Sequence, residues 1–241
     1  MRLCRLTSWA LIVGLLAHAG CVTIAPPETD YVRLDYDRLA CFRTTTANAI
    51  AACTRVVNRA DPSEVIVTEG GAAVVYGRRA LSARQLARHL LAEGRDEEAL
   101  AAAAKSLELL QRYDVRRTKE PSPFHTQAAV DQQMRWLTFN LAQSNYIAGV
   151  TLLRLRRWDP AAKHLADAVA QDTGHVGAWA ALGVAANQIG QYGESRRAFE
   201  KVLSLDAGYF TDDRAIQRLI SDASRDERTY RLGDPPADVV R

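Results

Sequence analysis

Several things are scarce in this 241-residue chain, and each scarcity excludes something. Most of its eight prolines sit at 26–27, 121–123 and 235–236. Excess charge is missing too: 31 basic against 28 acidic side chains leave a formal +3. Removing Arg2 and Arg5 with a leader would bring this to +1 (3 − 2). No basic stripe with interleaved aromatics appears, so nothing draws the chain to nucleic acid. The sequence also lacks an apolar run long enough to cross a bilayer, which takes about 20 residues in a helix. Its longest such run, Trp9 to Ala19, is about half that length. Recognisable chemistry is scarce as well. His89, His125, His164 and His175 are never three or four residues from one another, so none has the spacing of a zinc helix. There is no G-x-S-x-G serine and no glycine-rich loop ending in Lys-Ser/Thr, and Gly70-Gly71 lacks the lysine that a phosphate cradle needs. No cofactor, metal or small-molecule substrate is indicated.

What is present begins with MRLCRLTSWALIVGLLAHAGC. Two arginines, a short apolar stretch and a small-residue exit describe a secretory leader. Ala19-Gly20-Cys21 resembles the lipobox of bacterial lipoproteins. That family cuts the leader just before the cysteine and attaches a diacylglycerol to its thiol. The family usually has leucine three residues earlier, where this chain has His18, with Leu15 and Leu16 nearby. Lipidation at Cys21 and ordinary cleavage near Ala19 are the two readings. The next residues, VTIAPPETDY, have no helical period and suit a tether.

Export implies an oxidising compartment, so the remaining thiols are an even pair, Cys41 and Cys53. On one continuous helix they would lie about 18 Å apart, too far to bond. A helix starting near Thr45 or Thr46 would let the preceding chain fold back and bring them together. A disulfide is expected, with two buried free thiols as the alternative.

A repeat organises the centre of the chain. Sliding residues 142–175 over 176–209 puts Gly149 on Gly183, Leu155 on Ile189 and Trp158 on Tyr192. The same shift puts Ala161 on Ser195, Leu165 on Phe199, Ala168 on Val202 and Val169 on Leu203. With Trp179 and Leu182-Gly183 in the second copy, the pattern resembles the tetratricopeptide repeat (TPR). Thr173 and Ala207 stand where that family places a proline. The resemblance implies an all-α, TPR-like solenoid of antiparallel helix pairs. Gly149 and Gly183 would let paired helices approach, with Leu165 and Phe199 filling space between repeats. A glycine costs about 1 kcal/mol in a helix, and a buried Leu or Phe returns about 1.5–3 kcal/mol.

Leu86-Ala87, Gly94 and Ala99-Leu100 fit the frame sixty-two residues earlier, one repeat plus twenty-eight. In the extra length Pro121 and Pro123 break any helix. Val130, Met134, Leu137 and Leu141 then have helical spacing, marking an added helix or a longer next one. ANAIAACTRVV (47–57) reads as a second helix alone, resembling the opening unit of exported repeat proteins, whose cysteine often has an upstream partner. Val65–Thr68 and Ala73–Tyr76 could form a small hairpin, or a loop running into an early helix. Thr211 and the acids after it open a closing helix. The expected layout is leader 1–20, tether 21–40, degenerate helical unit 41–78, repeat-like unit 79–112 and insertion with extra helix 113–141. Repeats 142–175 and 176–209, a capping helix 210–230 and a loose tail 231–241 complete it.

In the TPR family the inward face of each first helix lines a groove that holds a peptide or partner helix. Carried over by register, that face comprises Arg84, Arg88 and Leu91, then Gln143, Tyr146, Val150, Leu153 and Arg154, then Ala180, Val184, Asn187 and Gln188. Small apolar residues with a few arginines suit an apolar peptide of some acidic character. The run LRLRRW (153–158) reads either as a helix end favourable to the macrodipole or as a contact for anionic lipid or an acidic partner. The implied function is a non-enzymatic, membrane-tethered adaptor of the bacterial envelope. It would face the periplasm, at the outer membrane, and serve outer-membrane, pilus or secretion assembly. A periplasmic hydrolase with a site on the 111–140 insertion, near His125, is the rival.

Overall fold

The computed structural model describes residues 30–43, 46–59, 72–119 and 127–209. They form eight α-helices and, among the described residues, no strand: α1 Asp30–Arg43, α2 Thr46–Asn58, α3 Ala72–Ala92, α4 Asp96–Lys119, α5 Gln127–Arg154, α6 Trp158–Gln171, α7 Val176–Gln188 and α8 Tyr192–Leu205. Consecutive helices pair, and each helix otherwise touches only the next but one: α1 with α3, α3 with α5, α5 with α7. A chain whose contacts never reach further is a one-dimensional stack. The fold is thus the all-α array of TPR-like helix pairs implied by the 34-residue register.

The glycines explain how the pairs close. A Cβ on Gly149 would lie 2.5 Å from Cγ of Leu165, and one on Gly183 2.5 Å from Cε1 of Phe199. Bare backbone on α5 and α7 therefore receives the large side chain of α6 or α8. The expectation that Leu165 and Phe199 fill space between repeats is corrected, since each lies against the glycine of its own pair. In the upstream pair the same register places Ala87 opposite Ala103, both fully buried. Two methyl groups there share the space that glycine and a large residue divide elsewhere.

The last three pairs turn the same way. Gly94, Arg156 and Gly190 have φ of 75°, 56° and 75°, and they sit at equivalent positions sixty-two and thirty-four residues apart. At each, the following amide bonds five residues back (Arg95 to Leu90, Arg157 to Leu152, Gln191 to Ala186), and its own bonds three back. This is the Schellman closure, which favours glycine at the left-handed residue. The turns between pairs also repeat. Asp172 and Asp206 accept the amides of Gly174 and Gly208 through their carboxylates at 3.1 and 2.9 Å. These Asp-x-Gly turns replace the absent proline.

Several boundaries differ from expectation. Residues 30–40, assigned to the tether, belong to α1, so the opening unit is a full helix pair. Three aspartates and three arginines among its fourteen residues conceal its apolar side. Cys41 and Cys53 join α1 to α2 by a disulfide, with Cα atoms 4.7 Å apart and both residues fully buried. Ala73–Tyr76 lies within α3, which excludes the hairpin; residues 65–68 are outside the described residues. The insertion lengthens both neighbours, α4 to Lys119 and α5 back to Gln127. It adds a second small core of Ala80, Leu109, Leu110, Trp136 and Leu137, while Met134 is exposed. The leader, Cys21, the closing helix and the tail lie outside the described residues.

Candidate partner-binding face

Helices α3, α5 and α7 run along the inner side of the stack, and their polar residues are held by cross-helix bonds. Arg84 of α3 donates to Oδ1 of Asn140 on α5 at 2.6 Å, and Asn140 donates to the Trp136 carbonyl at 2.6 Å. One turn along, Arg88 donates to Oε1 of Gln143 at 3.1 Å. Ser106 of α4 donates to the Ala80 carbonyl at 2.8 Å, which leaves Ser144 of α5 as the donor in the 2.9 Å Ser106–Ser144 bond. Six side chains thus tie α3, α4 and α5 together through buried hydrogen bonds, which are costly to leave half made.

The junction of α5 with α7 is aromatic. Tyr146 packs on the His175 ring with centroids 4.4 Å apart. Nδ1 of His175 accepts the Ala178 amide at 3.1 Å and so caps α7. Gly177 makes room, since a Cβ there would lie 2.9 Å from the Tyr146 hydroxyl. Between α5 and α6, Nδ1 of His164 bonds Oδ1 of Asn145 at 2.9 Å, and Asn145 donates to Gln171 at 3.4 Å. Burial lowers the His164 pKa below its ordinary value; nearby Asp167 raises it and Lys163 lowers it, both by less.

The expected groove residues therefore divide into two groups. Arg84, Arg88, Leu91, Gln143, Tyr146, Val150 and Ala180 are buried, so this part of the expected open lining is corrected. Of these, Arg84, Arg88, Gln143 and Tyr146 meet the neighbouring inner helix and form the seam between units. Leu153, Arg154 and Val184 are half-buried, and Asn187 and Gln188 are exposed. Leu153 with Asn187 and Arg154 with Gln188 occupy matching positions at the C-terminal ends of α5 and α7, and Val184 lies one turn before them, so they share one rim of the stack.

That rim continues into the arginine run, whose acidic partners are within the chain. Arg154 donates to Asp96 at 3.1 Å and to the Leu91 carbonyl at 3.0 Å. Arg157 donates to Glu97 at 2.5 and 3.2 Å, and Arg95 pairs with Glu98 at 2.6 Å. Bases at the end of α5 thereby meet acids at the start of α4, a placement both helix dipoles favour. Sequence reading missed these pairs because the partners are 58 and 60 residues apart. The only signal was that DEE opens one helix where RLRR closes another.

Among the described residues no three His, Cys, Asp or Glu side chains are grouped to hold a metal ion. No helix among them is long and apolar enough to cross a membrane. His125, the centre of the rival site, is outside the described residues.

No protein-family model matches the chain, and no curated protein matches its sequence. Solved structures of MamA resemble it. One crystal structure of MamA is 16% identical over 74% of this chain and 84% of its own, with a TM-score of 0.47. A second is 18% identical over 77% and 96%, with a TM-score of 0.35. MamA 41-end from Desulfovibrio magneticus RS-1 is 15% identical over 68% and 97%, with a TM-score of 0.27. These likenesses are too distant to carry functional information, and the fold assignment stands on the chain's own helix pairs.

Proposed function

We propose that this protein is a non-enzymatic scaffold of the bacterial envelope, tethered by a lipid on Cys21, that holds a protein or peptide partner on the rim of its helix stack. The observation that carries this reading is the one-dimensional stacking of pairs. A stack of this kind presents long, continuous edges on a rigid frame, and repeat proteins use such surfaces to bind extended partners. The accessible members of the expected face, Leu153, Val184, Asn187 and Gln188, supply apolar and amide groups, while Arg154 is engaged by Asp96 and the Leu91 carbonyl. An extended or helical segment with apolar residues and hydrogen-bonding groups fits them. The disulfide between α1 and α2 agrees with an exported location, and the periplasmic side of the outer membrane is the site we assign. Assembly of an outer-membrane, pilus or secretion complex is the corresponding role.

Cross-linking in the native envelope, followed by mass spectrometry, tests this directly. A photo-reactive residue at Gln188 should capture a distinct protein partner, and Leu153→Glu together with Asn187→Glu should abolish the capture. If capture from Gln188 is no greater than from exposed Arg196 on α8, the rim is not the binding surface.

A further inference from the structure

The outer side of α1 carries Tyr36, Leu39 and Phe42, exposed by 69%, 45% and 36%. At about 100° per residue these three and Arg43 fall within an arc of roughly 120°. The opposite side holds Cys41 in the core, locked to α2 by the disulfide. This apolar strip is therefore fixed on a rigid hairpin facing outward, and no helix among the described residues covers it. Arg43 stands on the strip and has no ion pair among the described residues. The neighbouring Asp37 is neutralised by Arg55, which donates to it at 3.0 and 2.7 Å. By the same spacing Asp35 falls within this arc, so the strip presents two aromatic rings and a leucine with one acid and one base. Aromatics and arginines at the edge of an apolar face suit the headgroup layer of a bilayer.

Position along the chain names the occupant. Asp30 opens α1 nine positions after Cys21. A chain of that length reaches at most about 30 Å when fully extended. With its lipid in the membrane, Cys21 would keep α1 beside the bilayer surface at high effective concentration, so even a weak contact would be occupied.

We propose that α1 lies on the membrane through Tyr36, Leu39, Phe42 and Arg43, so that the scaffold is oriented on the bilayer as well as anchored to it. The α1–α2 pair would rest on the lipid, and the stack would carry the α5–α7 rim away from it. This rests on the reading of Cys21 as the anchored residue.

The test uses the mature protein extracted from membranes and reconstituted in vesicles of phosphatidylethanolamine and phosphatidylglycerol containing brominated lipid. Leu39→Trp and Arg196→Trp are compared, each by its emission beyond that of the parent chain. Leu39→Trp is expected to lose about half of its emission, as an interfacial residue buried at the headgroup boundary would. Arg196→Trp on the distant α8 should be unaffected, and Arg43→Glu should weaken the quenching of Leu39→Trp. Equal quenching at both positions overturns the proposal. So does a dimer that Tyr36→Ser/Leu39→Ser/Phe42→Ser dissociates, since the strip would then face a second copy. The intact mass of the extracted protein reports the lipid on Cys21 separately. If the lipid is absent, the anchor reading fails, and the same comparison with added vesicles still decides the α1 contact.

Discussion

Replacing Gly149 by alanine places a methyl carbon 2.5 Å from Cγ and 2.7 Å from Cδ2 of Leu165. Leu165 is fully buried, so it cannot swing aside into solvent. Overpacking of this kind costs about 1–3 kcal/mol, and the better helix propensity of alanine returns about 1 kcal/mol. A net loss of roughly 0–2 kcal/mol is expected. Leu165→Ala alone should cost about 2–5 kcal/mol, because it leaves a cavity facing bare backbone. The double variant copies the Ala87–Ala103 pair of the upstream unit, and its new methyl enters the vacated space. Its loss should therefore be smaller than the sum of the single losses by about 1–2 kcal/mol, within the range seen for touching residues. Urea unfolding followed by far-UV circular dichroism gives the three free energies, and each kcal/mol moves Tm by about 2–4 °C in a chain of this size. Gly183→Ala supplies an internal comparison. Its neighbour Phe199 is only half-buried, so the ring can yield, and the cost should be lower than at Gly149. Strict additivity at Gly149 and Leu165, or a stabilising Gly149→Ala, would refute the proposed packing of the helix pairs.

Arg156 occupies the left-handed position that glycine holds in the two equivalent turns, and Arg156→Gly should raise stability by about 1 kcal/mol in the same urea assay. Removing the disulfide by Cys41→Ser/Cys53→Ser should cost about 3 kcal/mol, since it frees a short loop in the unfolded chain and puts two hydroxyls in the core. Protease nicking within 46–59 at a dose the parent resists would report the loosened α1–α2 pair. His164 gives a pH effect of definite sign. Its folded pKa is lowered by burial, so the unfolded chain binds the proton more readily. Stability is fully present above the ordinary imidazole pKa of about 6.5 and is lost as pH falls through the lowered value. Tm measured across that window should drop in the parent and drop less in His164→Asn, with an equal drop excluding His164 as the source.

Which parts of this were legible in the sequence depends on the range of the interaction. The 34-residue period can be read because the last two pairs place glycine opposite a large residue sixteen positions later, a local pattern of sizes. The two Asp-x-Gly turns at 172–174 and 206–208 are equally local, yet attention to a missing proline hid them. Helix α1 escaped because Asp30, Arg33, Asp35, Asp37, Arg38 and Arg43 are interleaved with its apolar residues, and its burial comes from α2 and α3. The partners of Arg154 and Arg157 were invisible for a different reason. Nothing in a helix end announces which other helix end lies beside it.

The inner face shows the same boundary between angle and distance. Register correctly assigns Arg84, Arg88, Gln143 and Tyr146 to the inner helices, because an angle around a helix follows from position in the repeat. Whether such a residue meets solvent depends on how closely the next inner helix approaches, and that is fixed elsewhere. Gly177 lets α7 come up to Tyr146, and the Asn140 and Gln143 amides bring α5 up to the two arginines. The close approach that glycine provides within a pair is provided between pairs by polar bonds and one aromatic contact. A surface inferred from angle alone therefore contracts to the rim, where the helices end and Asn187 and Gln188 meet no further helix among the described residues.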